Sequence, residues 1–303
     1  MQKRHNHSPT SETHTMKIFG VDFTSVPSSR KPITCAQCRL DENGLSLETC
    51  FPIRSFDEFE NFLLQPGLWV AGFDFPFGQP RKLIENMGWP QTWEGYIRHL
   101  SPLTKKDFDA LLKTYRDARP RGDKQHLRRT DEIAKSKSPM MMYGVPVGKM
   151  FLEGSRRLLD AGISVHPCRE RNDPRVVVEA YPALVARRWI ANRSYKSDEK
   201  KKQMLALRSA REELVRGLLS KNTQFYFGFD IHLSSDYADD FIGEGSADQL
   251  DAMLCAIQAG WAYTQREHNY GIPTDCDRLE GWIVDPGMDI MSSLGLVSEH
   301  ARP

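Results

Sequence analysis

Five carboxylates stand where an apolar run would otherwise exclude a charge, or where a helix begins. Asp22 ends the run Ile-Phe-Gly-Val-Asp, Asp74 ends Trp-Val-Ala-Gly-Phe-Asp, and Glu179 ends Val-Val-Val-Glu. Asp248 and Asp251 open the stretch Asp-Gln-Leu-Asp-Ala-Met-Leu-Cys-Ala. Desolvating an unpaired charge is costly, so acids of this kind belong at open strand ends, where α/β sheets build their sites. A spacing of three puts Asp248 and Asp251 on one face of a helix start, where the helix dipole favours negative charge. Carboxylates that converge repel one another unless a hard cation neutralises them. A set of oxygen ligands suits Mg²⁺ or Mn²⁺, not zinc. Each acid also has a structural alternative. Asp22 and Asp74 serve equally as turn formers, Glu179 as partner of a basic side chain such as Arg187, and Asp248 and Asp251 as N-cap and N3 carboxylates.

Other chemistry has less support. The chain lacks a phosphate-binding G-x-x-x-x-G-K-[ST] loop, a G-x-G-x-x-G turn after the first strand, H-E-x-x-H and G-x-S-x-G, which removes the simplest NTPase, dehydrogenase, zinc-protease and serine-hydrolase readings. Cys35-x-x-Cys38 has no second pair at zinc spacing and falls in an expected strand. The six cysteines of a 303-residue chain make no disulfide framework. His126 and His166 are candidate general bases or leaving-group acids, although a lone histidine is more often structural.

The elements that must position the acids follow from pattern. Strands are expected at 17–24, 33–40, 45–53, 68–74 and 175–182, with a last short one at 281–285. Residues 41–44 (Asp-Glu-Asn-Gly) read as a hairpin turn, and Ser55 as the cap of a helix buried through Phe56, Phe59, Phe62 and Leu63. The run 68–74 does not alternate, as in a strand covered on both faces. From 79 to 174 the chain is rich in Lys, Arg, Pro, Met and Trp and reads as a mainly helical insertion. Within it, Met140, Met141, Met142, Tyr143, Trp89 and Trp93 suit packing against the sheet better than stacking on bases. A basic helix is expected from 183, continuing or restarting through 211 to 219. An acidic loop is expected over 230–246. A last helix over 247–261 has small residues Ala252, Cys255 and Ala259 beside its apolar stripe, allowing close packing on a sheet. The order predicts an α/β fold: a five-stranded mixed sheet with helices on both faces and a large insertion between the fourth and fifth strands. Residues 1–15 read as a disordered tail, with Met16 as a natural start, 16–286 as one domain and 287–303 as a C-terminal tail.

Net charge is +1, but its distribution is uneven. Residues 98–137 carry 12 basic against 6 acidic side chains, 187–211 carry 9 against 2, and 230–251 carry 7 acids with no Lys or Arg. A basic surface beside an acidic pocket suits a polyanion held near a cation site, although each basic run alone also fits a solvated helix face. No apolar run approaches the roughly 20 residues of a membrane span. With no apolar segment of the secretory kind at the start, a cytoplasmic protein with no membrane partner is expected.

The quoted first-strand, Asp74-Phe-Pro-Phe-Gly, Glu179-Ala-Tyr-Pro-Ala and Asp248-x-x-Asp-Ala motifs resemble domain-of-unknown-function family 429, a family of predicted nucleases assigned an RNase H-like fold. The resemblance covers roughly 16–285. The helix motif is also similar to the last helix of RuvC-type Holliday-junction resolvases, whose strand acids and helix aspartates bind divalent metal. The resemblance implies metal-assisted hydrolysis of nucleic-acid phosphodiesters, with two cations roughly 4 Å apart. Asp22 would bridge them. Asp74 or Glu179, with Asp251, would complete their shells, and Asp248 would act through water. Arg128, Arg129 and Lys149 of the insertion are the candidates for holding phosphates. Competing readings are a non-catalytic or nucleotide-binding module of the same fold, and a small-molecule hydrolase with the insertion as a lid. A compact enclosed pocket would favour the last; an open basic groove would favour a nuclease.

Overall fold

The computed structural model describes residues 15–288; the tails expected at 1–15 and 287–303 lie outside them except for Thr15, Gly287 and Met288. A hairpin meander leads the chain, with β1 (Met16–Asp22), β2 (Ile33–Asp41) and β3 (Gly44–Ile53). Ser55 accepts from the Glu58 N–H at 3.1 Å and starts α1 (Phe56–Leu63), as its hydroxyl and the following amphipathic run require. β4 (Trp69–Phe73) follows, with every residue buried.

The insertion is mainly helical. It comprises α2 (Arg81–Asn86), α3 (Trp93–Leu100), α4 (Lys105–Asp117), α5 (Arg129–Ala134) and α6 (Val147–Ala161), and ends in a three-residue strand, β5 (Ser164–His166). Trp89, Trp93, Met140 and Met142 are core residues, while Tyr143 is exposed. β6 (Arg175–Glu179) returns to the sheet and leads into α7 (Pro182–Ile190), with Pro182 at a helical start where its missing N–H costs nothing. The chain leaves the helix at Ala191, in a positive-φ conformation, and restarts as α8 (Leu205–Leu218), followed by α9 (Asn222–Phe227).

The acidic segment expected as a loop contains β7 (Ile231–His232) and α10 (Ser235–Gly243). Its acids hid a helix whose start is set by Ser234, which accepts from the Tyr237 N–H at 3.3 Å. α11 (Asp248–Thr264) is the expected last helix, extended by three residues. The strand expected at 281–285 is a single parallel bridge from Ile283 to Glu179.

The sheet order is β5-β6-β4-β1-β2-β3-β7, seven strands rather than the expected five. The two additions are the short edge strands β5 and β7, too brief to leave a periodic signal. β1 pairs parallel to β4, β4 parallel to β6, and β2 antiparallel to both β1 and β3.

Strand alternation divides the core in two. Ile18, Val70, Val176 and Val178 pack on the face covered by α7, α8 and α11. Phe19, Val21, Ala71, Phe73 and Val177 pack on the face covered by α1 and the insertion. Cys35 and Cys38 are buried free thiols in different halves, so they do not share a metal. Among the described residues, no helix is long and apolar enough to cross a membrane.

Candidate active site where two strand ends meet a helix start

Two glycines fix the approach of α11. A Cβ on Gly20 would lie 1.9 Å from the Ala252 carbonyl oxygen and 2.1 Å from the Ala256 nitrogen, and one on Gly72 2.5 Å from the Cys255 carbonyl oxygen. The helix backbone therefore rests directly on β1 and β4, with Ala252, Ala256 and Ala259 as its small contact residues. Two residues beyond each glycine, on the same face by alternation, come Asp22 and Asp74. The register aligns Val21 with Phe73, so the two acids leave their strands at one level. Asp74 is tied there by its N–H, which donates to the Val21 carbonyl at 3.0 Å. α11 begins against this corner and brings Asp251, fully buried, and Asp248, partly buried.

The electrostatics show these four acids to be one group. Burial holds the Asp22 carboxyl well above its ordinary range, and Asp251, Asp74 and Asp248 raise it further while Lys196 opposes them. Burial pushes Asp74 up to about 7, with Lys196 opposing and Asp251 and Glu179 adding to the rise. Asp248 is raised by burial and by Asp251, against Lys31 and Lys196. The Lys196 ammonium supplies the compensating charge. It forms an ion pair with Asp251 Oδ2, and the Tyr195 hydroxyl donates to Asp251 Oδ1 at 2.5 Å. Burial disfavours its charge, but Asp251, Asp22 and Asp74 raise its pKa overall. The Lys196 side chain is 43% exposed, so solvent reaches it.

Glu179 raises Asp74 through its charge but makes its contacts on the other face of the sheet. It shares a face with Val177, not with Val178, and so points toward the insertion. There Arg128 donates to both its oxygens, at 2.6 and 2.8 Å, and the Phe77 N–H donates to Oε2 at 2.9 Å. The same guanidinium is bidentate to Asp131, at 2.8 Å on each oxygen, and donates to the Glu280 carbonyl at 2.9 Å. Arg128 is 1% exposed, so its donors hold the insertion to the sheet and none is left for a phosphate. Arg129 pairs with Asp275 at 2.7 Å and lies over the Trp282 ring. Lys149 sits in the first turn of α6. His126 is buried on the Tyr115 hydroxyl at 2.7 Å, and His166 lies against the Tyr270 ring. Neither histidine is among the groups that shift Asp22, Asp74 or Asp248.

Sequence reasoning missed Tyr195 and Lys196. They lie 56 and 55 residues from Asp251 in an irregular segment, where no spacing rule connects them. The only signal was their place in the basic run 187–211.

The charged donors are carboxylate oxygens, which suits a hard divalent cation in type, and the buried Cys255 thiol beside them is held uncharged by burial and by Asp74, Asp22 and Asp251. Lys196 stands as a monovalent cation among them. Among the described residues, no three His, Cys, Asp or Glu side chains are disposed to hold a metal ion as they stand. Both Asp251 oxygens are engaged, one by the Tyr195 hydroxyl and the other by the Lys196 ammonium.

Beside the cluster is a cavity of about 360 Å³, lined by Asp74, Glu179, Tyr181, Tyr195, Lys196 and residues of the insertion. Its walls are mainly apolar, through Phe75, Pro76, Val147, Met150 and Pro182. It is a small, partly open pocket, with Arg128, Lys137, Arg193 and Lys196 as its cations.

Residues 20–277 match the family described as protein of unknown function (DUF429). No curated protein and no solved structure matches the chain.

Proposed function

We propose, for a chain that belongs to the DUF429 family, that the aspartate cluster is the centre of a divalent-metal-dependent phosphodiester hydrolase acting on nucleic acid. The observation that carries this reading is the gathering of Asp74, Asp248 and Asp251 around the buried Asp22, whose carboxyl each of them raises. Acids so placed raise one another's pKa and oppose folding unless a cation compensates them, and such clusters mark functional sites. The strand order β3-β2-β1-β4-β6, with β2 alone antiparallel among these five, supports an RNase H-like assignment. That assignment is fold-level analogy and adds to the site argument without replacing it.

In this reading Asp22, Asp74 and Asp251 hold Mg²⁺ or Mn²⁺, and Asp248 holds it through water. A bound divalent ion supplies charge stabilisation at the phosphate and a more acidic water. The chain's own residues do the rest. Tyr195 fixes the Asp251 carboxylate. Lys196, once displaced, offers its ammonium to a phosphate oxygen. Glu179 and Arg128 anchor the insertion that closes one side of the cavity. Hydrolysis breaks one P–O bond, puts the water oxygen on phosphorus and passes a proton to the leaving oxygen, with no oxidant or reductant required.

The small pocket favours a second reading, a hydrolase of small phosphoesters with the insertion as its lid. One experiment tests both. Labelled single-stranded, duplex, hybrid and branched nucleic acids and free phosphodiesters are incubated with the protein and Mg²⁺ or Mn²⁺, alongside Asp22→Asn. Cleavage abolished in the variant supports the site. Equal cleavage by the variant, or none by the wild type on any substrate, rejects it.

A further inference from the structure

We infer that the cavity beside the aspartates takes one unpaired nucleoside monophosphate unit, its base among the apolar walls and its phosphate at the acid cluster. This rests on the hydrolytic reading above and narrows its substrate. At about 360 Å³ the cavity is at the small end of ligand sites, which run from roughly 300 to 1,000 Å³. A base pair does not enter a space of this size. A free mononucleotide, or the end of a single strand, does.

The walls divide by chemistry. Pro76, Val147, Met150 and Pro182 present apolar side chains, and the partly buried Tyr181, whose ring carries the Arg187 guanidinium 5.4 Å from its centroid, leaves its other face for stacking. Ser136 donates to Asp131 Oδ1 at 2.7 Å and Ser194 to the Lys196 carbonyl at 3.4 Å, which leaves their oxygens to accept from a base edge. Three cations line the cavity besides the committed Arg128. Lys196 neighbours the acid cluster. Lys137 is exposed and has no acidic partner among the described residues. Arg193 is 53% exposed and pairs with Glu213 at 2.6 Å. Asp74 and Lys196 line the cavity and belong to the aspartate cluster, so the hydrolytic reading places the phosphate beside them. An apolar body with one anionic end is the shape of a nucleotide and not of inorganic phosphate.

The test is calorimetric titration of AMP, adenosine and inorganic phosphate into the protein in EDTA and again with Ca²⁺, so that adenosine reads the apolar walls without metal and AMP reads the phosphate end with the acids neutralised. AMP should bind at least tenfold more tightly than phosphate. Val147→Trp, which fills the cavity from the first turn of α6, should weaken AMP at least tenfold, and Tyr181→Ala should weaken it about tenfold. Both variants are checked for unchanged circular dichroism and Mn²⁺ binding. AMP binding no tighter than phosphate, or unchanged in a folded Val147→Trp protein, overturns the inference. Two cleavage arms separate the sources: AMP competing with cleavage of a single strand indicates a strand end, and dephosphorylation of AMP itself indicates the free nucleotide. Cleavage that Val147→Trp leaves intact would reject the nucleotide pocket but keep the hydrolase. AMP binding in the cavity of a protein that cleaves nothing with Mg²⁺ would do the reverse.

Discussion

Asp74 and Lys196 give the clearest residue-scale consequences. Asp74 holds its proton up to about 7 in the fold, against roughly 3.9 when unfolded. A carboxyl raised on folding stabilises the metal-free protein most at acid pH, and that contribution fades as pH rises from about 4 through 7. The whole displacement would be worth about 4 kcal/mol, and solvent reaching this half-buried group cuts it to about 1–2 kcal/mol. Asp74→Asn mimics the protonated form, so it should stabilise the metal-free protein by about 1–2 kcal/mol at pH 8 and by little at pH 4. Urea denaturation at the two pH values checks this, and an equal effect at both would remove Asp74 from the coupled group. Lys196→Gln should act the opposite way at pH 8, lowering metal-free stability because the acids lose their counter-ion. In the hydrolytic reading it should also tighten Mn²⁺ binding about tenfold, since the competing ammonium is gone. Looser Mn²⁺ binding would make the lysine a support of the site rather than a competitor for it. The acids were legible in the sequence because each interrupts an apolar run. Their partner was not: Lys196 reaches Asp251 from an irregular segment, and no periodicity records such a contact.

The same limit operates among the elements. Four of the five candidate acids came together where strand ends and a helix start meet, but Glu179 did not, because Val-Val-Val-Glu does not disclose which face its last residue takes. Both faces of β6 are buried, so the usual alternation is absent and only the fold shows that Glu179 follows Val177 toward the insertion. There it forms a buried network with Arg128 and Asp131. Removing one partner of such a network leaves uncompensated buried charge, at a cost of about 3–5 kcal/mol. Arg128→Met should destabilise by that amount and loosen the insertion, seen as faster proteolysis within 79–174. A loss under about 1 kcal/mol would mean the network is not holding the insertion. Gly20 controls the other junction. Gly20→Ala puts a methyl into the backbone of α11, and overpacking of this kind costs about 1–3 kcal/mol or more. It should also draw Asp251 away from Asp22 and weaken any metal binding. The expected small-residue face of α11 was readable, as was the hairpin and each central strand. The short edge strands β5 and β7 and the helix within the acidic segment were not, because two or three residues carry no period and a surface helix this rich in acid resembles a loop.

At the scale of the whole molecule, a sheet covered on both faces leaves one corner open, where β1, β4 and α11 meet under the insertion. The charge bias of the sequence takes a different form there from the one expected. In the insertion Arg128 is a buried anchor while Lys106, Lys113, Lys124, Lys135 and Lys137 stay exposed, and the basic run over 187–211 delivers Lys196 into the acids themselves. The central claim is that Asp22, Asp74 and Asp251 act together on one divalent cation. Mn²⁺ titration followed by electron paramagnetic resonance, on the wild type and on the isosteric Asp22→Asn and Asp251→Asn variants, tests it most directly. The account predicts Mn²⁺ binding by the wild type and at least a hundredfold weaker binding by each variant with the fold intact. Binding that survives both substitutions unchanged, or a wild type that takes up no Mn²⁺ at pH 8, would contradict it.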